Sequence, residues 1–311
     1  MAMHRIIIDT DPGIDDAAAI LLAMISPEIE ILGMTTVAGN VPLALTTTNA
    51  LKLCELGGRT DIKVYAGADR PLVRDAATAE HVHGTTGMDG AILPVPTKRA
   101  ETQHGIDWLV ETLLAAEPES ITLIVLGPQT NIALALRRAP QIREALREVV
   151  IMGGASEQEG GNITPFAEFN IYVDPEAAAE VFDAKLPVTL VSLDVARKVV
   201  GTVERLDRLR HNGNAASVAL ADMLGFYTGR GNGNEPMYDP LTIAWLLQPD
   251  FFTSRMAHIA VDTGNIETAG QTRMTFDAAG STNRVLLDCD AAGFFELLTT
   301  RVARIRGKRD V

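Results

Sequence analysis

Cysteine is almost missing from this chain: Cys54 and Cys289 stand alone and far apart, which leaves neither a disulfide framework nor a thiolate metal site and fits a reducing compartment. Positive charge is short as well. Lysine and arginine total 27 against 40 aspartates and glutamates, for a net charge of -13, so a nucleic-acid or anionic-membrane surface is disfavoured. Small molecules and metal ions are the expected partners. No apolar run approaches the roughly 18 residues of a membrane span, and Met-Ala-Met-His-Arg leads into a strand pattern without the apolar region of a secretory signal. The expectation is a soluble, cytoplasmic protein. Walker A and Gly-x-Gly-x-x-Gly fingerprints, internal repeats and low-complexity tracts are also absent, and the basic residues 301–309 read as a solvated helix end and tail.

What is present is core-forming. A chain of 311 residues at 47 % hydrophobic content suffices for one large core, and we expect a single domain over residues 1–311 with a cap-like insertion. Short β-branched runs at residues 5–9, 30–36, 62–66, 121–126, 148–152 and 188–191 alternate with helical patterns at 15–25, 42–56, 105–117, 130–138 and 175–184. That alternation predicts an α/β fold: a mostly parallel central sheet flanked by helices, Rossmann-like, with ligands at the carboxyl edge of the strands. Less regular strands at 255–262, 271–277 and 284–288 and a helix over 291–304 follow. Two polar stretches, 70–97 and 225–240, resist assignment and are expected to be long active-site loops acting as lids.

The densest chemistry sits at the first strand end. Asp9-Thr-Asp-Pro-Gly-Ile-Asp-Asp16 packs four carboxylates into eight positions, and like charges so close need shared protons or a hard divalent cation. Later strand ends carry Ala38-Gly39-Asn40, Leu126-Gly127-Pro128-Gln129-Thr130-Asn131 and Met152-Gly153-Gly154, where glycine lets backbone approach a ligand. In residues 161–170, Asn162, Glu168 and Asn170 fall at even spacing, so on an extended chain all three can reach one ligand such as a sugar. A loop whose amides satisfy its own backbone is the alternative. Asp239, ahead of a helical run, is either that helix's N-cap or the remote carboxylate of a metal site begun by Asp11 and Asp16.

A strand ending in Asp-x-Asp also resembles the haloacid-dehalogenase phosphotransferases, with Asp9 as nucleophile and Asp11 as acid/base. The two further acids weigh against it, as do the missing lysine and the missing downstream Gly-Asp-x-x-x-Asp. A non-enzymatic sugar-binding protein is the remaining class, but binding alone has no need of four clustered carboxylates.

Taken together, Asp9 to Asp16, Val37-Ala-Gly-Asn40, His83-Gly-Thr-Thr-Gly, Gly127-Pro-Gln-Thr-Asn131, Met152-Gly-Gly, Asn162 to Asn170 and Asp239-Pro240 resemble the inosine-uridine preferring nucleoside hydrolase family, in the family's order. The resemblance implies the nucleoside hydrolase fold, a homodimer or homotetramer, and calcium-dependent hydrolysis of ribonucleosides to ribose and free base in salvage or catabolism. It implies that Asp11, Asp16, Asp239 and the Leu126 carbonyl hold Ca²⁺, an all-oxygen set, with Asp11 accepting a proton from the calcium-bound water. By the same resemblance, Asp15 and Asn170 meet the ribose 2′- and 3′-hydroxyls with Asn40 alongside, Asn162 and Glu168 meet the 5′-hydroxyl, and Met152 lines the sugar. Asp9 is left as a structural acid, and His81 as an exposed, unimportant one of the two histidines.

One position departs from the pattern. Many relatives carry histidine before the last metal aspartate, whereas this chain has Tyr238. A phenol of pKa about 10 suits proton donation at neutral pH less well than imidazole at about 6.5. Three routes stay open for the departing base: donation by Tyr238 in a relay, donation by His83, which lies where relatives place a base-contacting histidine, or stacking of Tyr238 on the base. Phe226, Tyr227, Arg230, Asn234 and Tyr238 are candidates for the base-facing wall. Whether that base is purine, pyrimidine or both is not legible.

Overall fold

A computed structural model describes residues 3–230 and 235–306, apart from the side chains of Thr228 and Arg230. The strands are β1 (His4–Thr10), β2 (Ile29–Thr36), β3 (Val64–Ala66), β4 (Ile121–Val125), β5 (Leu146–Met152), β6 (Val188–Val191), β7 (Val200–Gly201), β8 (Glu235–Pro236), β9 (Phe252–Val261), β10 (Thr272–Phe276) and β11 (Asn283–Cys289). The helices are α1 (Ile14–Ile25), α2 (Leu43–Leu56), α3 (Glu80–His83), α4 (Gly105–Leu114), α5 (Thr130–Arg138), α6 (Phe169–Val173), α7 (Pro175–Asp183), α8 (Leu193–Ala196), α9 (Val203–Arg210), α10 (Ala215–Arg230), α11 (Pro240–Leu247) and α12 (Ala291–Val302).

Nine strands form one sheet in the order β10-β9-β11-β6-β5-β4-β1-β2-β3, parallel from β11 through β3, with β9 and β10 antiparallel at the far edge. This is the mostly parallel, helix-flanked α/β architecture expected. The strand at its centre explains itself: Ile6, Ile7 and Ile8 are wholly buried, Ile6 and Ile8 packing with α1, α2 and α10 to α12, and Ile7 with α4, α5 and α7 on the other face. A strand covered on both sides reads as an unbroken apolar run, not an alternating one.

Chain order runs outward in opposite directions from the β1/β4 pair, and such a switch point opens a crevice beyond the carboxyl ends of the strands. The acids after β1 and the glycine turn after β4 therefore face one another. A small second sheet pairs β7 with β8, and Met237 donates to the Val199 carbonyl at 2.8 Å, which ties the approach to Tyr238 and Asp239 to the segment after α8.

Two expectations change. Residues 225–230 were expected in a loop but complete α10; glycine composition suggested otherwise, yet a Cβ on Gly225 or Gly229 would meet nothing, so the helix tolerates both at only an entropic cost. Residues 231–234, including Asn234, lie outside the described residues. The 70–97 stretch is irregular as expected except for α3, a single turn that carries His83. Among the described residues no helix is long and apolar enough to cross a membrane.

Candidate active site

The chain turns inward straight after β1. Asp16 sits at the third position of α1 and closes the turn from within: its Oδ2 accepts from Gly13 N at 2.9 Å and its Oδ1 from Thr10 Oγ1 at 2.5 Å. Asp11 has Oδ2 fixed by Asn40 N at 2.7 Å, while Oδ1 is buried without a partner. Gly39 and Gly127 crowd that carboxylate from both sides; a Cβ on either would collide with it. Their role is close approach, as the glycines at strand ends suggested.

Asn40 bridges the two acids, its Nδ2 donating to the Asp11 carbonyl and to Asp16 Oδ2, both at 3.2 Å. The amide expected beside a sugar thus also holds the acids in register. Asp239 is an N-cap by position only. It stands at the N-cap position of α11, yet its side chain makes no capping bond. Instead its carboxyl meets Asp16, and one oxygen each of Asp15, Asp16 and Asp239 lie within 4.8 Å of one another.

The expected metal set named Asp11 where this tight trio has Asp15. Asp11 belongs to the same charge cluster, since Asp16 and Asp15 both act on its carboxyl. Burial, reinforced by mutual repulsion, pushes Asp11, Asp16 and Asp239 above the ordinary carboxylate range, and burial lifts Asp15 to about 6. Buried acids with unmatched oxygens, donating only oxygen, fit a hard divalent cation.

Above the cluster lies a cavity of about 360 Å³, within the range of small-molecule sites. Asp15, Asn40, His83, Leu126, Met152, Asn162, Glu168, Asn170, Tyr238 and Asp239 line it; Asp11 and Asp16 are buried beneath. Asn170 Nδ2 donates to the Leu126 carbonyl at 2.7 Å and to the Met152 carbonyl at 3.2 Å, so the carbonyl expected to face a metal is already tied to a cavity amide. Glu168 does more than line the wall: it caps α6, accepting from Asn170 N and Ile171 N, and also takes Gly154 N at 3.0 Å. Burial lifts it to about 7 despite those three donors. Asn162 Oδ1 accepts from Phe169 N at 2.9 Å.

The opposite rim is aromatic. His83 is 6 % exposed, its Nδ1 accepts from Ile14 N at 3.2 Å and lies 3.9 Å from Asp15, and its ring stacks on Tyr227 at 5.7 Å. A nitrogen that accepts a backbone N–H carries no proton, so the imidazole is neutral with its hydrogen on Nε2, consistent with burial driving its pKa down to about 4. That contact disfavours a charged ring, and the His83 route then runs through the Nε2 hydrogen of the neutral imidazole. Tyr227 is hydrogen-bonded to Tyr238, and burial raises both phenols. His81 is exposed as expected, yet it borders the cavity. Phe226 packs partly buried against the core, whereas the Arg230 side chain and Asn234 lie outside the described residues.

Three supporting residues escaped prediction. Asn131, quoted only as part of a turn, donates to Asp9 Oδ1 at 2.7 Å and to the Thr36 carbonyl, and accepts from Ala68 N at 2.8 Å. Asn49 joins α2 to the Pro12 and Thr86 carbonyls. Its signal was a buried amide inside an apolar helical run. Glu235, at the rim, had none.

A family model described as inosine-uridine preferring nucleoside hydrolase matches residues 6–296. A pyrimidine-specific ribonucleoside hydrolase RihA of Escherichia coli is 41 % identical over 308 residues, 96 % of this chain and 97 % of its own length. An uncharacterized protein of Schizosaccharomyces pombe is 42 % identical, over 97 % and 99 %. Among solved structures, a purine-preferring ribonucleoside hydrolase from Gardnerella vaginalis superposes with a TM-score of 0.91 at 30 % identity, over 97 % and 99 % of the two chains, and the plant nucleoside hydrolase PpNRh1 with 0.89 at 31 %, over the same shares. The dehalogenase alternative finds no support in these likenesses.

Proposed function

The chain belongs to the inosine-uridine preferring nucleoside hydrolase family, and from that premise we propose that it cleaves ribonucleosides to ribose and free base, with Asp11, Asp16, Asp239 and the Leu126 carbonyl holding calcium. The observation that carries this reading is a set of buried carboxylates without a cation of their own: Asp11 Oδ1 has no partner, Asp239 caps nothing, and among the described residues neither lysine nor arginine lines the cavity. When bound, Ca²⁺ offsets that charge and acts as a Lewis acid that makes water easier to deprotonate.

Asp11 takes the proton from the attacking water as its oxygen joins C1′ and the C1′–N bond breaks, the bonding pair leaving with the base. Asp15 and Asn170, with Asn40 alongside, orient the 2′- and 3′-hydroxyls, and the surrounding carboxylates stabilise the oxocarbenium-like state. Asn162 and Glu168 hold the 5′-hydroxyl, and Met152 packs on the sugar. At the other end, Tyr238 pairs with the Tyr227 hydroxyl and turns its own hydrogen toward the departing base. His83 contacts that base as a neutral ring.

This machinery sits in one cytoplasmic domain, assembled as a homodimer or homotetramer, in nucleoside salvage or catabolism. The RihA likeness supports pyrimidine preference. Ribose release by the purified protein from uridine, cytidine and inosine, from their 2′-deoxy analogues, and with calcium chelated, tests the reading. We expect deoxy analogues to turn over far more slowly and chelation to stop turnover. Equal rates on ribo and deoxy substrates sink the roles of Asp15 and Asn170, and activity that survives chelation sinks the metal.

A further inference from the structure

The wall that carries Asn162 and Glu168 has no strand of its own, and α8 with the residue after it holds it in place. Asp194 in α8 accepts from Ser156 N at 2.9 Å, from Ser156 Oγ, and from Ser192 Oγ. Arg197, just past the helix, takes the other end of the segment. Its Nη1 donates to the Glu159 carbonyl at 2.7 Å, to Glu159 Oε1 at 2.8 Å and to the Gly160 carbonyl at 3.3 Å, and its Nη2 donates to the Gly161 carbonyl at 2.8 Å. One guanidinium therefore gathers three successive carbonyls immediately before Asn162. A planar guanidinium reaches these acceptors from two separate nitrogens, whereas a lysine ammonium offers its donors from a single point.

The turn beyond is tight. A Cβ on Gly161 would collide with the carbonyls of Thr164 and Ala167, and Asn162 N donates to the Ala167 carbonyl at 3.1 Å while its Oδ1 receives Phe169 N. Any drift of the 159–161 carbonyls is thus passed to Asn162 and, through residues 167–169, to Glu168. Arg197 itself does not line the cavity.

We propose that Arg197 is a positioning residue that sets how strongly the site recognises the sugar's 5′-hydroxyl. The inference rests on the hydrolase reading above and names a determinant within it. Loss of the clamp loosens Asn162 and Glu168 by a fraction of their contact distance, and misplacement on this scale costs activity steeply. The cost falls on substrates that carry the 5′-hydroxyl, because a 5′-deoxy sugar makes no bond for the drift to break.

The experiment compares wild type, Arg197→Lys, Arg197→Ala and Asn162→Ala on the better of uridine and inosine and on its 5′-deoxy analogue. We expect wild type to favour the 5′-hydroxyl clearly. Both Arg197 variants should lose roughly ten- to hundredfold in kcat/KM on the parent nucleoside with little change on the analogue, and should add nothing in an Asn162→Ala background. The lysine variant keeps the charge and serves should the alanine variant not fold. An equal loss on both substrates, or no loss, overturns the proposal, as does a wild type that releases ribose without regard to the 5′-hydroxyl. A wild type that releases no ribose from any nucleoside overturns the hydrolase reading beneath it.

Discussion

Beneath the cavity, Asp9, Asp11 and Asp16 hang from the end of β1 and the first turn of α1, and backbone or hydroxyl donors fix most of their oxygens. Above it, His83, Tyr227 and Tyr238 come from a one-turn helix, the last turns of α10 and the residues after β8, and they hold one another by ring contact and a phenol pair. The floor is built by the sheet, whose register is set by buried side chains on two faces. The rim is built by three separate segments that meet only in the folded chain. Hydrolysis of a nucleoside, which needs a fixed water and a fixed sugar but must release a base, is served by that division.

The floor should be the less forgiving half. Asp11→Asn removes the proposed proton acceptor and is expected to lower kcat by about 10²–10⁴-fold, with near wild-type thermal stability, since the amide keeps the shape and relieves repulsion from Asp16. Ribose release together with a melting curve checks both halves of that statement. A variant that retains more than a tenth of wild-type activity breaks the contrast between floor and rim.

At the rim, Tyr238→Phe deletes the proposed hydrogen bond to a leaving group that gains negative charge, an interaction of about 1.5–3 kcal/mol, or some tenfold to a hundredfold in rate. Tyr227→Phe should cost less, because it removes only the hydroxyl that pairs with Tyr238. The same variants assayed on a nitrophenyl riboside, whose leaving group needs no proton, should look like wild type. A loss on that substrate equal to the loss on uridine makes Tyr238 part of the sugar machinery instead.

Asn131 sharpens the comparison from below. It touches no cavity surface but joins β1, β2 and the turn after β3 through three hydrogen bonds. Asn131→Ala leaves Asp9 and Ala68 N short of partners in a dry environment, at a cost of about 1–3 kcal/mol. Unfolding by denaturant at pH 7 measures it. A loss of activity much larger than the loss of stability shows that Asp9 and its neighbours do more than hold the strand end.

The same division explains what the sequence made legible. Ile6 to Ile8 announced a strand covered on both faces, and the Asp-rich turn after it announced a charged floor, because strand ends and turns are local in sequence. Asn162, Glu168 and Asn170 could be grouped from spacing alone, although their backbone turned out partly helical. Three things escaped: Glu168 as the cap of α6, Asn131 as a cross-strand tie, and Arg197 as a clamp on carbonyls 36–38 residues away. Each depends on which backbone groups the fold leaves without partners, and no local pattern records that. The α10 end was misread because glycine composition reads as a loop, while Gly225 and Gly229 sit where the helix has open space beside them.

Glu168 gives the smallest expected effect and the finest division of floor from wall. Burial holds its pKa at about 7 against an ordinary value of 4.5, so the folded chain keeps this proton while the unfolded chain has lost it. Stability from that difference is present below about pH 4.5 and declines as pH rises toward 7, since the native state binds more protons than the unfolded one across the interval. Glu168→Gln cannot titrate, and it also gives up an acceptor oxygen for the three backbone donors, so it should be less stable than wild type throughout. The gap between the two melting temperatures should be widest at about pH 4.5 and narrow by pH 8, because only wild type loses stability over that range through this group. A gap that stays constant shows that the three N–H donors outweigh burial and that Glu168 is charged in the folded enzyme at every pH tested. The 5′-hydroxyl would then meet a carboxylate that only accepts, which strengthens the case for a donor contact from Asn162.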